Sequence, residues 1–475
     1  MNSAHLAVAS PLLLMSATTV IAMLAIAIQR NHLVVAAISL IGVGASLLSL
    51  LFAASDIPQQ LTSLLIFDPY SVIYVALLLC AAAFVILLSY NYLKQRHEHR
   101  EEFYLLILLA TTGSMVLVSS RHFMSLFLGL ELLSISLYAL IAYIRSETVS
   151  IEAGIKYLVL AASSSSVLLF GLALIYAESG SMDLSQFAAA LNHAATFPLV
   201  AGLMLVLTGV GFKLAVVPFH LWTPDVYEGA PLPVTAFIAT VSKGGMFALI
   251  LRWLHPHDAA LSGTLGLVLS IISIASMLTG NLLALTQTSV KRILAYSSIA
   301  HMGYALVALL AGGTLGAPAA TYYLAAYFAT ILGAFGVMTI LSGSDHEAAS
   351  IEDYRGLFWR RPYIAAAFTV MLLSLAGIPL TAGFLGKFYV IAAGASQSRW
   401  VLLFTLVVSS TIGLFYYLRV LAAMYAKSSD THPSRTTLPL PATIALAVLT
   451  ALIFVLGLYP TPLWNAIVSA AGKLG

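Results

Sequence analysis

Residues 209–246 read GVGFKLAVVPFHLWTPDVYEGAPLPVTAFIATVSKGGM, and two apolar spans in this stretch each carry one lysine, Lys213 and Lys243. An ammonium group at bilayer depth is costly, so such a lysine faces a protein interior or a water-filled cavity and indicates a functional site. Pro218 and the prolines after it remove backbone donors and interrupt the first span. A membrane tolerates such a break only where neighbouring groups or water satisfy the freed backbone. The stretch therefore predicts ion or proton conduction beside a broken membrane helix.

The composition of the 475-residue chain is that of a membrane protein, with 61% hydrophobic and only 8% charged residues. Soluble domains carry about 25% charged residues, so most of this length is expected to lie in lipid. The formal net charge of +3 offers no basic surface for nucleic acid. The single cysteine, Cys80, excludes intrachain disulfides and cysteine-only metal clusters. Because the first ten residues carry no Lys or Arg, we expect the first apolar run to remain as a span rather than be cleaved as a signal peptide.

Apolar windows long enough to cross the bilayer recur along the whole chain. A helix needs about 20 residues to cross about 30 Å of hydrocarbon. The windows are 10–28, 33–53, 69–92, 103–119, 123–144, 153–177, 198–222, 233–254, 262–284, 289–311, 318–341, 363–394, 400–426 and 440–460. Proline and glycine interrupt the windows at 198–222 and 363–394. The pattern predicts an all-α polytopic membrane protein with about 14 transmembrane helices, two of them broken.

Lysine and arginine are distributed unevenly between the two sets of alternate loops. One set holds Arg30, Lys94, Arg96, Arg100, Arg145, Lys291, Arg292, Arg355, Arg360, Arg361, Lys427 and Arg435, whereas the other set and the C-terminal tail hold Arg121, Arg252, Arg399 and Lys473. Cytoplasmic loops carry the excess of Lys and Arg. With an even number of spans, this bias places both termini on the periplasmic side.

The two broken spans suggest an internal repeat. Pro218 interrupts the first, and Pro379 interrupts the second, which reads LLSLAGIPLTAGFLGKFYV and carries Lys387 after its proline. An odd number of spans per unit inverts the second unit relative to the first, as in many transporters. We expect N-terminal flanking helices at 1–102, a first five-helix repeat at 103–261, a second at 262–427, and a C-terminal flanking helix at 428–475.

Four ionisable residues lie close to the middle of a span: Glu131, Lys213, Lys243 and Lys387. Glu131 heads a polar stripe with Ser134 and Tyr138, at i+3 and i+7 of one helix. The alternatives are a carboxylate held by a structural partner and lysines that extend to an interface, but a central position favours function. A carboxylate about 6 Å from a lysine interacts with its charge by about 3 kcal/mol at an effective dielectric of about 20. Movement of Glu131 relative to a lysine would therefore act as a switch.

A second rank of polar residues is a candidate for relay roles: Lys156, Glu152, His220, His301, Lys291 and Arg419. Neutral histidines suit water chains, although a hydrogen-bonded packing role explains each of the two equally well. Lys156 is either a relay or an interface residue. Lys291 begins its span and is better explained as a positive-inside anchor, and we expect Arg419 to pair or to extend towards the cytoplasm. Asp225 and Glu228 follow the broken helix and form a channel mouth or a solvated loop.

Four stretches carry a family resemblance: LFLGLELLSISLYAL, GFKLAVVPFHLWTPDVYEGAP, TQTSVKRILAYSSIAHMGY and LAGIPLTAGFLGKFY. They resemble signatures of the antiporter-like membrane subunits of proton-pumping NADH:quinone oxidoreductase, respiratory complex I. The resemblance covers essentially the whole chain. The resemblance is greatest to the smallest bacterial paralogue. This chain has a lysine at position 387, whereas another paralogue resembles a type with glutamate at that place.

The resemblance implies fourteen helices with two inverted five-helix units in a bacterial inner membrane. It implies that Glu131 and Lys213 form the input pair, Lys243 the central relay, and Lys387 the terminal donor or acceptor. It also implies that NAD, FMN, iron–sulfur clusters and quinone bind to other subunits. The sequence is consistent with this implication, because it shows no Walker pattern, dinucleotide fingerprint or cluster-binding cysteines. The expected partners are neighbouring antiporter-like and small membrane subunits and the lipid bilayer, with no nucleic acid.

Two other functions are compatible with the same residues. One is an independent cation/proton antiporter, or a subunit of one, since those proteins resemble the same fold. The other is a structural spacer that holds neighbouring membrane subunits together, with its lysines serving only hydration.

Overall fold

The computed structural model describes residues 3–54, 57–96, 100–184, 186, 196–254, 263–343, 346–427 and 440–473. The first half contains α1 (Ser3–Ile28), α2 (His32–Ala53), α3 (Pro69–Lys94), α4 (Glu101–Ser119), α5 (Phe123–Ile141), α6 (Thr148–Ser179), α7 (Phe197–Leu214), α8 (Trp222–Gly229), α9 (Leu232–Phe237) and α10 (Lys243–Leu254). The second half contains α11 (Thr264–Leu285), α12 (Val290–Ala311), α13 (Gly313–Leu341), α14 (Leu357–Arg360), α15 (Pro362–Ala376), α16 (Ala382–Ser396), α17 (Trp400–Tyr425), α18 (Leu440–Leu458) and α19 (Thr461–Ala471). A π-helical turn at Ile238–Ser242 joins α9 to α10, and a 3₁₀ turn at Ile351–Tyr354 precedes α14.

Strand structure in the described residues is confined to one small hairpin and a few isolated bridges. Strand β1 (Gln59–Gln60) pairs antiparallel with β2 (Ile66–Phe67), with Gln59 opposite Phe67 and Gln60 opposite Ile66. Asp68 follows β2 directly and caps α3 by accepting a hydrogen bond from the Ser71 backbone N–H. The hairpin thus ends where the next membrane helix begins.

Thirteen helices among the described residues are long and apolar enough to cross a membrane, with α9, the π turn and α10 counted as one helix. The shorter apolar helices α15 and α16 share the remaining predicted window. The prediction of an all-α polytopic membrane protein with about 14 spans is therefore confirmed.

Both predicted breaks are present in the helices. α7 ends at Leu214, Ala215 adopts a left-handed conformation (φ 59°), and helix resumes at Trp222. α15 ends at Ala376 with Gly377 left-handed (φ 85°), and helix resumes at Ala382. Pro218 and Pro379 each lie within the gap between the paired segments, where no helical bond requires their missing N–H.

The spans differ sharply in how much of their surface is buried. The apolar window of Leu232–Leu254 is 100% buried and that of α12 is 94% buried, whereas that of α1 is only 22% buried. Outer helices expose large apolar side chains such as Ile41 and Leu51. The central spans, which carry Lys243 and His301, are therefore shielded from lipid by the rest of the bundle.

A buried ion pair joins three helix ends on the side of the bundle that carries few basic residues. The Arg252 guanidinium at the end of α10 donates to both Asp68 carboxylate oxygens, at 2.6 and 2.9 Å, and to the Val118 carbonyl of α4 at 3.1 Å. Burial alone would raise the pKa of Asp68. The hydrogen bonds and the charge of Arg252, with two hydrogen bonds from Ser71, instead lower the pKa of Asp68 below its ordinary value of 3.8.

Candidate functional site

Lys213 lies in the last turn of α7, next to the first helix break, and is 3% exposed. Its Nζ donates to Ser134 Oγ at 2.7 Å and to the Tyr157 hydroxyl at 3.2 Å. The same nitrogen lies 5.3 Å from the centre of the Tyr157 ring, within range of a cation–π interaction. The lysine is thus surrounded by neutral oxygen and an aromatic face.

Glu131 lies on α5 one turn before Ser134 and is partly buried. The contact that reaches the Lys213 ammonium from α5 comes from the Ser134 hydroxyl rather than from the Glu131 carboxylate. Glu131 Oε1 and the Tyr138 hydroxyl are both buried without a hydrogen-bond partner among the described residues. The structure therefore brings the predicted input pair close together without a direct ion pair.

Lys243 is the first residue after the π-helical turn and is fully buried. Its Nζ donates to Ser298 Oγ on α12 and lies 5.7 Å from the centre of the Tyr227 ring. The Tyr227 hydroxyl is itself 3.1 Å from Ser298 Oγ. π-helical insertions are frequent at functional sites, so this third irregularity in the helices supports a functional role for Lys243.

His301 lies one turn beyond Ser298 on α12 and leads towards the second helix break. Its Nδ1 is 2.6 Å from the Tyr323 hydroxyl, and its Nε2 is 3.4 Å from the Tyr417 hydroxyl. A cavity of about 10 Å³ extends from His301 to Lys387. Its other polar lining comes from Tyr323, Tyr327, Thr330 and Ser374. Such a volume is about what one water molecule needs, and the polar lining offers it hydrogen-bond partners.

Lys387 lies on α16 and reaches back across the second break. Its Nζ donates to the carbonyls of Leu375 and Ala376, both at 2.9 Å, and to Ser410 Oγ at 2.7 Å. The two carbonyls belong to the last turn of α15, the negative end of a helix dipole, which attracts a cation. The Lys387 Nζ also lies 5.3 Å from the centre of the Tyr304 ring.

Gly377 allows Lys387 to approach these carbonyls. A Cβ at this position would lie 2.9 Å from Lys387 Cδ and 3.1 Å from Nζ, and the φ of 85° itself disfavours a side chain. The glycine that ends α15 is therefore also part of the lysine site.

Lys156 and Glu152 belong to an exposed network of ion pairs beside α8, the short helix that follows the first break. Lys156 lies 2.7 Å from Glu152 and 3.1 Å from Asp225, with 44% of its side chain exposed. Arg292 continues the network, 3.2 Å from Asp225 and 2.7 Å from Glu228. Asp225 and Glu228 thus lie at the surface. This position is compatible with both predicted roles, a channel mouth and a solvated loop.

The other second-rank residues lie in buried or partly buried surroundings. His220 follows Pro218 and is 6% exposed, and its Nδ1 has no hydrogen-bond partner in the described part of the chain. Arg419 donates to the Leu285 carbonyl at 2.9 Å and to the Gln287 carbonyl, so it pairs with the end of α11. Lys291 is 2% exposed and forms an ion pair with Glu347 at 2.5 Å.

Apart from Ser134, which lies in the predicted polar stripe of Glu131, the partners of the buried lysines were not predicted from the sequence. The partners of the buried lysines are hydroxyl and aromatic side chains: Ser134, Tyr157, Ser298, Tyr227, Ser410 and Tyr304. Serine and tyrosine are common in this sequence, and only a polar stripe such as that of Ser134 gave a local signal. Glu347 lies in a polar connection where a single carboxylate does not stand out.

Comparison with known proteins places these features in a family. The family model described as NADH:quinone oxidoreductase/Mrp antiporter, transmembrane, matches residues 120–413. The chain is 48% identical to NADH-quinone oxidoreductase subunit N of Ectopseudomonas mendocina, over 98% of this chain and 97% of that protein.

Two solved structures share the fold. A chain of respiratory complex I from Thermus thermophilus with bound aureothin is 34% identical, with a TM-score of 0.83 over 97% of this chain and 99% of that one. A chain of the archaeal membrane-bound sulfane sulfur reductase is 26% identical, with a TM-score of 0.85 over 99% of this chain and 97% of that one.

Proposed function

The chain belongs to the NADH:quinone oxidoreductase/Mrp antiporter family of membrane proteins, and we propose that it is a proton-translocating membrane subunit of an NADH:quinone oxidoreductase. The observation that supports this function best is the set of three buried lysines, each bonded to a serine hydroxyl and placed over a tyrosine ring. The similarity to NADH-quinone oxidoreductase subunit N over nearly the whole chain supports this enzyme as the one to which the chain contributes.

Electron transfer and proton transfer are divided between subunits in this proposal. NAD, FMN, the iron–sulfur clusters and quinone bind to other subunits, and this chain contributes the proton path of the translocase. It works as a member of a multi-subunit complex, next to other antiporter-like and small membrane subunits. Redox energy released elsewhere reaches this chain as a change of charge near Glu131.

The proposed path runs from Glu131 and Lys213 through Lys243 to Lys387. When the charge at Glu131 changes, its interaction with Lys213 changes, and Lys213 passes a proton towards Lys243. Lys243 then exchanges its proton through Ser298 and His301 with Lys387. Moving each charge against 100 mV costs about 2.3 kcal/mol, so the direct contacts must form and break in sequence to prevent leakage.

The second-rank residues take two kinds of role in this proposal. Lys156 and Glu152 shape the charged surface beside α8, and His220 and His301 serve the path between the buried lysines. Lys291 and Arg419 hold helix ends in place through main-chain carbonyls. The clustering of Lys156 with Asp225 and the burial of His301 support this division.

The multi-pass chain is further proposed to lie in a bacterial inner membrane with both termini in the periplasm. The excess of Lys and Arg in alternate loops supports this orientation. We also propose that residues 103–261 and 262–427 are inverted repeats, each with one broken helix. The breaks at Ala215 and Gly377, each close to a buried lysine, support the repeat.

Replacement of Lys213 tests the function directly. In the purified complex, reconstituted in vesicles, Lys213→Ala is expected to lower the number of protons pumped per NADH oxidised. The matched control is Lys94→Ala, because Lys94 is an exposed lysine at the end of α3. An unchanged proton-to-NADH ratio in Lys213→Ala would remove the chain from the pumping path.

A cation/proton antiporter is the second candidate, because the family model also covers Mrp antiporters. Two measurements separate the two functions. Proton flux that depends on Na⁺ or K⁺ and not on NADH would favour the antiporter, and co-purification with flavin and iron–sulfur subunits would favour the oxidoreductase.

A further inference from the structure

Glu347 is a largely buried carboxylate at the end of the bundle that carries most of the basic residues. It lies in the connection between α13 and the 3₁₀ turn, with 14% of its side chain exposed. Its Oε2 accepts a hydrogen bond from Lys291 Nζ at 2.5 Å. Its Oε1 accepts one from the Tyr92 hydroxyl and lies 3.8 Å from the Arg96 guanidinium. The carboxylate therefore ties the end of α3 to the start of α12.

The Glu347 carboxylate is charged at neutral pH. Burial alone would raise the pKa of Glu347. The charge and hydrogen bond of Lys291, the hydrogen bond from Tyr92 and the charge of Arg96 instead lower the pKa of Glu347 below its ordinary value of 4.5. A charged carboxylate is the counter-ion that the buried Lys291 requires.

Lys291 connects Glu347 to α8, the short helix that follows the first break. Its Nζ donates to the carbonyls of Glu228 and Ala230, both at 2.9 Å, in addition to Glu347. These three acceptors match the three N–H donors of an ammonium group. The carbonyls lie at the end of α8, so the ion pair holds that short helix against α12.

The end of α8 is in turn connected to Lys243. Tyr227 immediately precedes Glu228, and its hydroxyl lies 3.1 Å from Ser298 Oγ, which accepts from Lys243 Nζ. Ser298 lies two turns beyond Lys291 on α12, on the same helix face. A continuous series of contacts thus runs from the Glu347 carboxylate to the Lys243 ammonium.

We propose that the Glu347–Lys291 ion pair is a clamp that positions Tyr227 and Ser298 around Lys243, which makes Glu347 a positioning residue for proton transfer. This inference rests on the proposed function. Release of the clamp lets the end of α8 move away from α12, and the Tyr227 hydroxyl then no longer holds Ser298 under Lys243. Proton exchange at Lys243 is impaired although Lys243 itself is intact.

The first test uses the assembled complex in vesicles, with protons pumped per NADH oxidised as the readout. Glu347→Gln is expected to lower this ratio about threefold, a size typical of residues that act through neighbours. Glu347→Asp keeps the charge and is expected to restore part of the ratio. Glu352→Gln is the matched control, because Glu352 lies in the 3₁₀ turn that follows, is 71% exposed and pairs with Arg355. A normal ratio in Glu347→Gln would overturn the clamp.

A double variant separates positioning from simple structural support. Glu347→Gln with Lys291→Met removes both buried charges, so the complex is expected to assemble while the pumping ratio stays low, because the carbonyls of Glu228 and Ala230 have lost the Lys291 donor. Recovery of pumping together with assembly would overturn the proposal. If Glu347→Gln does not assemble, this double variant still decides the question.

A double-mutant cycle with Tyr227→Phe tests the connection itself. Removal of the Tyr227 hydroxyl already breaks the contact with Ser298, so adding Glu347→Gln is expected to lower pumping little further. Fully additive losses would overturn the connection. Lys243→Ala identifies which idea has failed: full pumping in that variant contradicts the proposed function, whereas lost pumping there with a normal Glu347→Gln contradicts only the clamp.

Discussion

At the scale of single residues, the three buried lysines have neutral partners. Lys213 and Lys243 donate to hydroxyl groups, which accept from an ammonium and can equally donate to a neutral amine. A carboxylate in direct contact would instead favour the charged lysine alone. Lys387 adds two main-chain carbonyls at a helix end to its serine partner. Hydroxyl partners thus suit side chains that must gain and lose a proton repeatedly.

Gly377→Ala is expected to impair Lys387 without changing any ionisable group. The added Cβ would displace the Lys387 side chain, and a misplacement of about 1 Å can cost roughly 100-fold in proton transfer. We expect pumping in vesicles to fall roughly 10-fold or more.

The control for this prediction is Gly180→Ala. Gly180 is also left-handed, with φ 67°, but a Cβ there meets nothing within 4 Å. Both variants place a side chain on left-handed backbone, so equal pumping losses would attribute the effect to backbone strain rather than to Lys387.

The sequence was sufficient to identify the lysines but not their partners. An ionisable residue near the centre of an apolar span is rare enough to stand out, and Lys213, Lys243 and Lys387 all prove to be buried. Ser298 and Tyr227 come from different helices, and their meeting depends on packing that no local pattern encodes. Glu347 became visible only through its contacts with Lys291 and Tyr92.

At the scale of helices, the breaks were predictable and the π turn was not. Pro218 and Pro379 cannot continue a regular helix, and Gly377 favours the end of one. Their positions therefore predicted both interruptions. The segment Ile238–Ser242 contains neither proline nor glycine, so no residue within it signals the π-helical form. Hydrophobic length predicted the spans because nearly all of them must cross the same apolar layer.

Asp68→Asn is expected to loosen the ends of α3, α4 and α10 together. Breaking a buried ion pair by removing one partner costs about 3–5 kcal/mol, because the remaining charge is left uncompensated. Thermal unfolding of the detergent-solubilised chain at neutral pH, followed by tryptophan fluorescence, measures the loss.

The pH dependence of this loss has a definite sign. Because the Arg252 interaction lowers the pKa of Asp68, the stabilisation is fully present above the ordinary value of 3.8 and is lost as the pH falls through the lower value of the folded chain. The difference between wild type and Asp68→Asn should therefore shrink only in that acidic range. A difference that vanished near neutral pH would contradict the assignment.

At the scale of the whole molecule, the buried path occupies the centre of the bundle. The span of Lys243 is 100% buried, and α13, which packs beside it, is 83% buried. Outer helices with exposed apolar faces surround this centre and face lipid or other subunits. In the proposed function, this insulation confines charge movement to the line of lysines.

Lys243→Ala is expected to separate the two halves of the chain functionally. Without the central lysine, Lys213 and Lys387 retain their own partners but lose the group between them. The rate of proton transfer through this chain should fall by about 100-fold or more, since one proton-transfer group typically contributes at least that much in rate, and the protons pumped per NADH should fall by the share that this chain carries. If the variant instead made the vesicles more permeable to protons, Lys243 would be a residue that closes the path rather than one that transfers the proton.

The five residues Ile238–Ser242 have one further consequence. A turn with i→i+5 hydrogen bonds holds one residue more than an α-helical turn, so every later side chain is rotated by about 100° around the axis. The extra residue of the π turn therefore sets the direction in which the Lys243 side chain points towards Ser298. Deleting any one of the five would swing the ammonium to a different neighbour while the chemical inventory of the site stayed the same.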